Sequence, residues 1–222
     1  MSRSNEYIFK NNNGVLELVG DFEKYYQDNK DPWDQASIDS DISEYYKFSR
    51  ERLIKCLESL DKRKRIMDIG CGLGIVSNAI KKCINRSSVY GVDISKTAIK
   101  KATLSYKNII FSVGDISNPS FKFNKKMDVI ILNQMLWYVL EELEVTMMNI
   151  YNLLDSQGYL IISMAFLERQ NYGVEFIDGF DGLIKYCQED INDKFEVIFS
   201  DFDSSKIYPY NDGLVCLKKL EV

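Results

Sequence analysis

The chain has 222 residues, 45% of them hydrophobic, and a formal net charge of −5, with a sequence pI near 5.0. This suffices for one α/β core and is short for two domains, and the acidic balance is the opposite of the basic surface that a nucleic-acid partner calls for. There is no histidine, which removes the commonest metal ligand, the Ser-His-Asp triad and a histidine general base, so no metal site is expected.

Cys56, Cys71, Cys83, Cys187 and Cys216 are odd in number and show no C-x-x-C spacing, the usage of reduced, mostly buried thiols in a cytoplasmic protein. Met1-Ser2-Arg3-Ser4-Asn5-Glu6 lacks the apolar core of a secretory signal. No run approaches the ~20 apolar residues that span a bilayer, so no membrane partner is expected. Lysine pairs such as Lys81-Lys82, Lys100-Lys101 and Lys125-Lys126 read as solvated ends of elements rather than as a phosphate track.

Residues 1–40 are expected to form an N-terminal arm. Asn11-Asn12-Asn13-Gly14 marks a turn, a short helix over 17–27 presents Leu18, Phe22, Tyr25 and Tyr26, and Asp31-Pro32-Trp33 breaks it. Residues 41–222 are expected to form a single domain. Ile42, Tyr45, Tyr46, Leu53, Ile54, Leu57 and Leu60 share one helical face over 41–60. Strands then fit 65–69, 88–93, 108–113, 127–132 and 158–165, with helices over 74–84, 96–105 and 141–154; Ser95 is the N-cap of the second. A loop carrying Arg169 and Tyr172 leads to a helix near 183–189. Two last strands, 194–200 and 214–219, are joined by the turn Pro209-Tyr210-Asn211-Asp212-Gly213. Alternating strands and helices, with near-continuous Ile/Val strands, predict an α/β fold: a doubly wound, seven-stranded, mostly parallel sheet covered on both faces.

The chemistry is concentrated at the strand ends. Ile66-Met67-Asp68-Ile69-Gly70-Cys71-Gly72-Leu73-Gly74 is a strand running into an acid, three glycines and a helix start, an arrangement that brings backbone N–H groups against a ligand. Asp93 ends the next strand, where a carboxylate accepts from ribose hydroxyls. Asp115, in Val113-Gly114-Asp115-Ile116, stands at the end of the third. A nicotinamide fingerprint needs a glycine where Ile75 stands, and Asp68 would oppose a pyrophosphate; an acid there suits a cationic ligand.

The pattern Asp-x-Gly-x-Gly-x-Gly from Asp68 to Gly74 resembles the first motif of class I methyltransferases that use S-adenosylmethionine (SAM). The resemblance covers about residues 41–222 and implies their Rossmann-like fold, with an antiparallel last strand. It implies that Asp68 faces the amino-acid moiety of SAM, that Gly70, Gly72 and Gly74 lie against its adenosyl part, and that Asp115 takes the adenine amino group. Cys71, Ile94, Ile116 and Asn133 complete the cofactor-binding set, and S-adenosylhomocysteine (SAH) is the implied product. The run Met127 to Val139 resembles the fourth motif of small-molecule enzymes related to the NodS-like N-methyltransferases. Many of those carry Ser-Glu or a His where this chain has Asn133-Gln134. That group also carries an Asp-Pro-Trp segment ahead of its N-terminal helix, which implies that the arm folds over the cofactor as a lid.

On the acceptor side the expected residues are Tyr26, Trp33, Trp137, Tyr138, Arg169 and Tyr172, with Arg169 available to orient an anionic acceptor. Candidate catalytic positions are Gln134, although neutral, and the carboxylates Asp178 and Asp181, with Glu175 beside them. The expected reaction is methyl transfer to an O or N atom of a small molecule: a sugar, a nucleotide-linked or surface-glycan intermediate, an amine or a phosphate-type oxyanion. Proximity supplies most of the rate. A catalytically silent SAM-binding module or assembly partner is the alternative, kept open by Asn133-Gln134. The oligomeric state has no signal in the sequence.

Overall fold

A computed structural model describes residues 5–13, 15–35 and 40–221. Met1–Ser4, at the start of the segment read above for a secretory signal, and Gly14 of the asparagine turn lie outside the described residues. The arm begins with a helical turn, α1 (Asn5–Ile8), and a hairpin of β1 (Phe9–Asn12) and β2 (Val15–Leu18). The helix expected over 17–27 begins only at Phe22: α2 is Phe22–Asp28. Leu18 still pairs with Phe9 in the hairpin, Gly20 takes φ +66°, and the Asp21 carboxylate caps the helix by accepting from the Lys24 N–H at 3.1 Å. The long helix α3 (Asp41–Ser59) starts at a capping box made by Ser40 and Ser43.

The sheet contains β3 (Arg65–Ile69), β4 (Ser88–Asp93), β5 (Ile110–Val113), β6 (Met127–Asn133), β7 (Leu154–Phe166), β8 (Phe195–Asp203) and β9 (Asn211–Lys219). Their order is β5-β4-β3-β6-β7-β9-β8. β9 alone runs against both of its neighbours, β7 and β8. Helices α4 (Ile75–Cys83), α5 (Lys96–Ser105), α6 (Leu143–Leu153) and α7 (Gly179–Lys185), the last continued by a π-helical turn at Tyr186–Asp190, cover it.

Strand alternation sorts the core into two layers. Ile66, Val89, Val129, Ile131 and Ile161 pack with Leu53 and Leu57 of α3 and Ile80 of α4. Met67, Val92, Ile130, Leu132, Leu160 and Ile162 face the other way, toward Met147 and Ile150 of α6 and Leu183 of α7. Successive residues pointing to opposite buried layers explain why these strands are apolar throughout. Among the described residues no helix is long and apolar enough to cross a membrane.

One expected turn is a strand. Asn211, Asp212 and Gly213 belong to β9 and pair with Phe166, Ala165 and Met164. Asp212 is buried and ion-paired with Arg52. A Cβ at Gly213 would lie 2.5 Å from the rings of both Phe166 and Phe180, so the glycine serves packing rather than turning.

Candidate active site

The parallel strands β3, β4, β5 and β6 end side by side, and a cavity opens at their C-terminal ends with about 1060 Å³ of atom-free space, open solvent included. Its place is where open α/β sheets hold their ligands. The wall includes Asp68, Gly70, Cys71, Gly72, Asp93, Ile94, Asp115, Ile116 and Asn133 of the expected cofactor set. From the expected acceptor set it includes Tyr26, Trp33 and Tyr138, and Gln134 lies beside them.

The β3–α4 loop leans over β4 because the N–H groups of Gly70 and Cys71 both donate to the Val92 carbonyl, at 2.8 and 3.0 Å. Gly72 has φ +50°, and a Cβ there would stand 2.4 Å from the Tyr26 hydroxyl. Gly74 does not line the cavity. It is the left-handed N-cap of α4 at φ +79°, and a Cβ would meet the Phe111 ring at 2.7 Å. The loop is therefore a cradle of bare backbone, shaped by close packing from both sides.

Two carboxylates are buried in its floor. Asp68 is 1% exposed and accepts from the Ser77 hydroxyl of α4 at 2.6 Å. Burial pushes its carboxyl up to about 7, with the charge of Asp93 adding to the rise and the Ser77 hydrogen bond opposing it. Asp93 accepts the Gly72 N–H at 2.8 Å and the Ser95 N–H at 2.9 Å, and burial raises it as well. Asp115 is tied to its own turn, accepting from the N–H and hydroxyl of Ser117 at 2.9 and 2.6 Å. No Lys or Arg among the described residues lines the cavity, whereas Asp31, Asp68, Asp93 and Asp115 all do.

The arm forms the opposite wall. Trp33 donates through its indole N–H to the Tyr26 hydroxyl at 3.1 Å, so Trp33 both anchors the arm and faces the cavity. Glu23 clasps the start of α5, accepting from Ser95 Oγ, Thr97 N–H and Thr97 Oγ1 at 2.7, 3.1 and 2.7 Å. Lys101 Nζ donates to the carbonyls of Tyr26 and Asn29 at 2.6 and 2.9 Å. Phe22, Gln35, Tyr46 and Met135 also line the cavity. Sequence reading missed them, since Phe22 and Tyr46 show only as apolar members of a helix face. Glu23 carried no signal at all.

Gln134 is locked in place. Its backbone has φ +57°, its Oε1 accepts the Ala165 N–H at 2.8 Å, and its Nε2 donates to the hydroxyls of Tyr45 and Ser49, each at 3.2 Å. Tyr45 in turn donates to the buried Asp212 at 2.9 Å. The left-handed backbone is thus held by a network that ties β6 to α3, β7 and β9.

Several expected site residues stand away from the wall. Trp137 turns into the packing layer, where its N–H donates to the Ala165 carbonyl at 3.0 Å and its ring meets Phe166 edge-on. Tyr172 packs on Phe9 of the arm. Arg169, Glu175, Asp178 and Asp181 are exposed in the segment after β7.

The family profile of the methyltransferase domain matches residues 60–196, well over half of the chain. The chain belongs to the class I SAM-dependent methyltransferases. The likeness to solved structures agrees in fold. The N-methyltransferase NodS of Bradyrhizobium japonicum, in complex with SAH, superposes with a TM-score of 0.71 at 14% identity over 90% of this chain and 98% of that one. Magnesium protoporphyrin IX methyltransferase of Synechocystis PCC 6803, with bound SAM, gives 0.65 at 20% identity over 90% and 95%. In sequence, the chain is 29% identical to the putative methyltransferase 235L of Invertebrate iridescent virus 6 over 61% of this chain and 49% of that protein. It spans about half the length, or less, of the curated relatives it matches.

The residues present fit the donor of that family. A sulfonium and an α-ammonium are cationic, and the cavity offers the buried carboxylates of Asp68 and Asp93 beside a loop whose shape leaves room for no Cβ at Gly72.

Proposed function

We propose that the protein transfers the methyl group of SAM to an O or N atom of a small molecule, in a reducing, cytoplasmic setting suited to its five free cysteines. The carrying observation is the cavity at the strand ends, lined by Asp68, Asp93 and Asp115 and, among the described residues, by no Lys or Arg. In this reading Asp68 takes the α-ammonium, and Asp93, with lone pairs beyond those used by Gly72 and Ser95, takes the ribose hydroxyls. Asp115 takes the adenine amino group between the apolar faces of Ile94 and Ile116. SAM supplies a methyl carbon made electrophilic by the sulfonium.

The chain itself binds, orients and keeps water out. Glu23 and Lys101 hold α2 and Asn29 after it down as part of a lid, and Tyr26, Trp33 and Tyr138 close the wall above the cradle. Gln134 has every hydrogen-bonding end of its amide engaged, so it positions the β6 end and moves no proton. Holding nucleophile and methyl carbon in line accounts for most of the rate. Titration calorimetry with SAM and with SAH tests the donor: saturable heat with both is expected, and heat with NADH but neither of these overturns it. SAH release on adding cell metabolites separates an enzyme from a silent SAM-binding module.

A further inference from the structure

A second cavity, with about 660 Å³ of atom-free space, open solvent included, lies between the C-terminal end of α3 and the outer strand β8. It shares no lining residue with the first. A β-bulge opens the sheet edge there: Val197 pairs with Leu217 and Phe199 with Cys216, which leaves Ile198 as the extra residue. Ile198 and Phe199 line the cavity and are 43% and 47% exposed, so its mouth is in solvent. Two thiols stand inside it, Cys56 of α3 and Cys216 of β9, and they share a hydrogen bond in which Cys216 donates. Cys56 is 8% exposed and Cys216 0%. Burial pushes the thiols of Cys71 and Cys187 up, the second to about 12. At Cys56 the hydrogen bond from Cys216 outweighs burial and brings the thiol down, while Cys216, as the donor, is pushed up. The sulfur nearer solvent is thus the one favoured as thiolate, and a second thiol stands behind it.

We infer that Cys56 and Cys216 form a reversible oxidation site for hydrogen peroxide, with Cys56 as the nucleophile and Cys216 as the resolving thiol. The site is independent of the SAM reading. The Cys56 thiolate attacks one peroxide oxygen, the O–O bond breaks, and the departing hydroxide takes up a proton as water. Cys56 is then a sulfenic acid, oxidised by two electrons. The Cys216 sulfur attacks the Cys56 sulfur, the S–O bond breaks, and the hydroxyl leaves with the Cys216 proton as a second water. Two thiols and one peroxide give one disulfide and two waters. A small oxidant suits the site because both sulfurs are nearly covered, which shuts out a bulky disulfide such as oxidised glutathione. The new bond joins α3 to β9 along the seam that the Arg52–Asp212 ion pair and the Tyr45–Asp212 hydrogen bond also hold.

The test treats the whole reduced protein with hydrogen peroxide in native buffer, alkylates it in denaturant and maps its peptides without reductant. Two of the five thiols are expected to be lost to a Cys56–Cys216 disulfide that dithiothreitol reverses, with the melting temperature raised ~3 °C or more. Five thiols remaining, a disulfide through any other cysteine, or sulfinic acid as the main product at Cys56 overturns the inference. A smaller rise or a fall in melting temperature overturns the claim that the native seam accepts the bond. In Cys216→Ala the unresolved sulfenic acid is expected to give ~10-fold more dimedone label on Cys56 than in the parent. In Cys56→Ala, peroxide is expected to leave Cys216 unlabelled, and label there overturns the assigned roles. The peptide map of the parent protein decides the pairing even if either variant fails to fold.

Discussion

The glycine-loop half of the cavity and its aromatic half are held by different kinds of force. The floor is made of buried carboxylates and bare backbone, each group fixed by a hydrogen bond within a strand end or the helix that follows it, such as Ser77 to Asp68 and Gly72 to Asp93. The outer wall is made of rings drawn from α2, the segment after it, α3 and the turn after β6, held by ring contacts and by the Glu23 and Lys101 clasps on α5. The floor is hydrogen-bonded and carries carboxylates; the wall is aromatic and joined to the domain by side-chain contacts. A donor common to a large family suits the first, and an acceptor particular to one protein suits the second.

The sharpest way to break this division is at the seam between the halves. Gly72→Ala puts a Cβ 2.4 Å from the Tyr26 hydroxyl and a side chain at φ +50°. It is expected to cost SAH affinity ~30-fold or more, ~2 kcal/mol, by calorimetry, because both the cradle and the wall are displaced.

Asp68→Asn is the next largest and acts on the floor alone. The folded protein holds a proton on Asp68 up to about 7, against an ordinary value of 3.8. Between those values the native state binds the extra proton, so this group makes stability fall as pH rises from ~4 to ~7, after which the cost is constant. The variant is expected to flatten that fall in the melting temperature of the ligand-free protein. It is also expected to weaken SAM binding ~10-fold above neutrality. In the parent protein the stabilisation by SAM should grow as pH rises from ~6 to ~8, since a cationic donor favours the ionised carboxylate; growth that persists in Asp68→Asn assigns it to another group.

Glu23→Gln tests the wall. The Ser95 hydroxyl, then the Thr97 N–H and hydroxyl, hold the Glu23 carboxyl down at about 2, so its contribution is present above 4.5 and lost only as pH falls through about 2. The variant is expected to raise protease cleavage of the arm ~3-fold at neutral pH, with the melting temperature of the main domain nearly unchanged. The smallest effects are expected at Asp178→Asn and Asp181→Asn. Both residues are exposed and absent from the cavity, and kcat/KM should stay within ~2-fold. A loss of ~100-fold would restore a base to the mechanism.

The floor is legible in the sequence because its groups are close along the chain and sit at strand ends that hydrophobic runs mark. Asp68 to Gly74, Asp93 and Asp115 all reach one cavity, apart from Gly74, whose backbone serves the helix start. The same motifs and patterns place Trp137, Arg169, Tyr172, Asp178 and Asp181 near the acceptor, and there residue type is the only guide. Trp137 and Tyr138 are neighbours, yet a 3₁₀ turn at Leu136–Tyr138 sends one into the packing and the other into the cavity. Period and polarity do not distinguish two adjacent aromatics on a single turn.

Local order therefore determined the parallel sheet, the cradle and its acids, since glycine placement, strand periodicity and helix caps act over a few residues. Tertiary structure alone decided that Tyr46 of α3, Phe22 of the arm and Tyr138 after β6 share a wall, that Gln134 is bound to Tyr45, Ser49 and Ala165, and that Asn211 to Gly213 extend a strand instead of turning. Those outcomes depend on which surfaces meet when the arm and α3 are packed against the sheet, and contacts between distant segments leave no periodic mark on the chain.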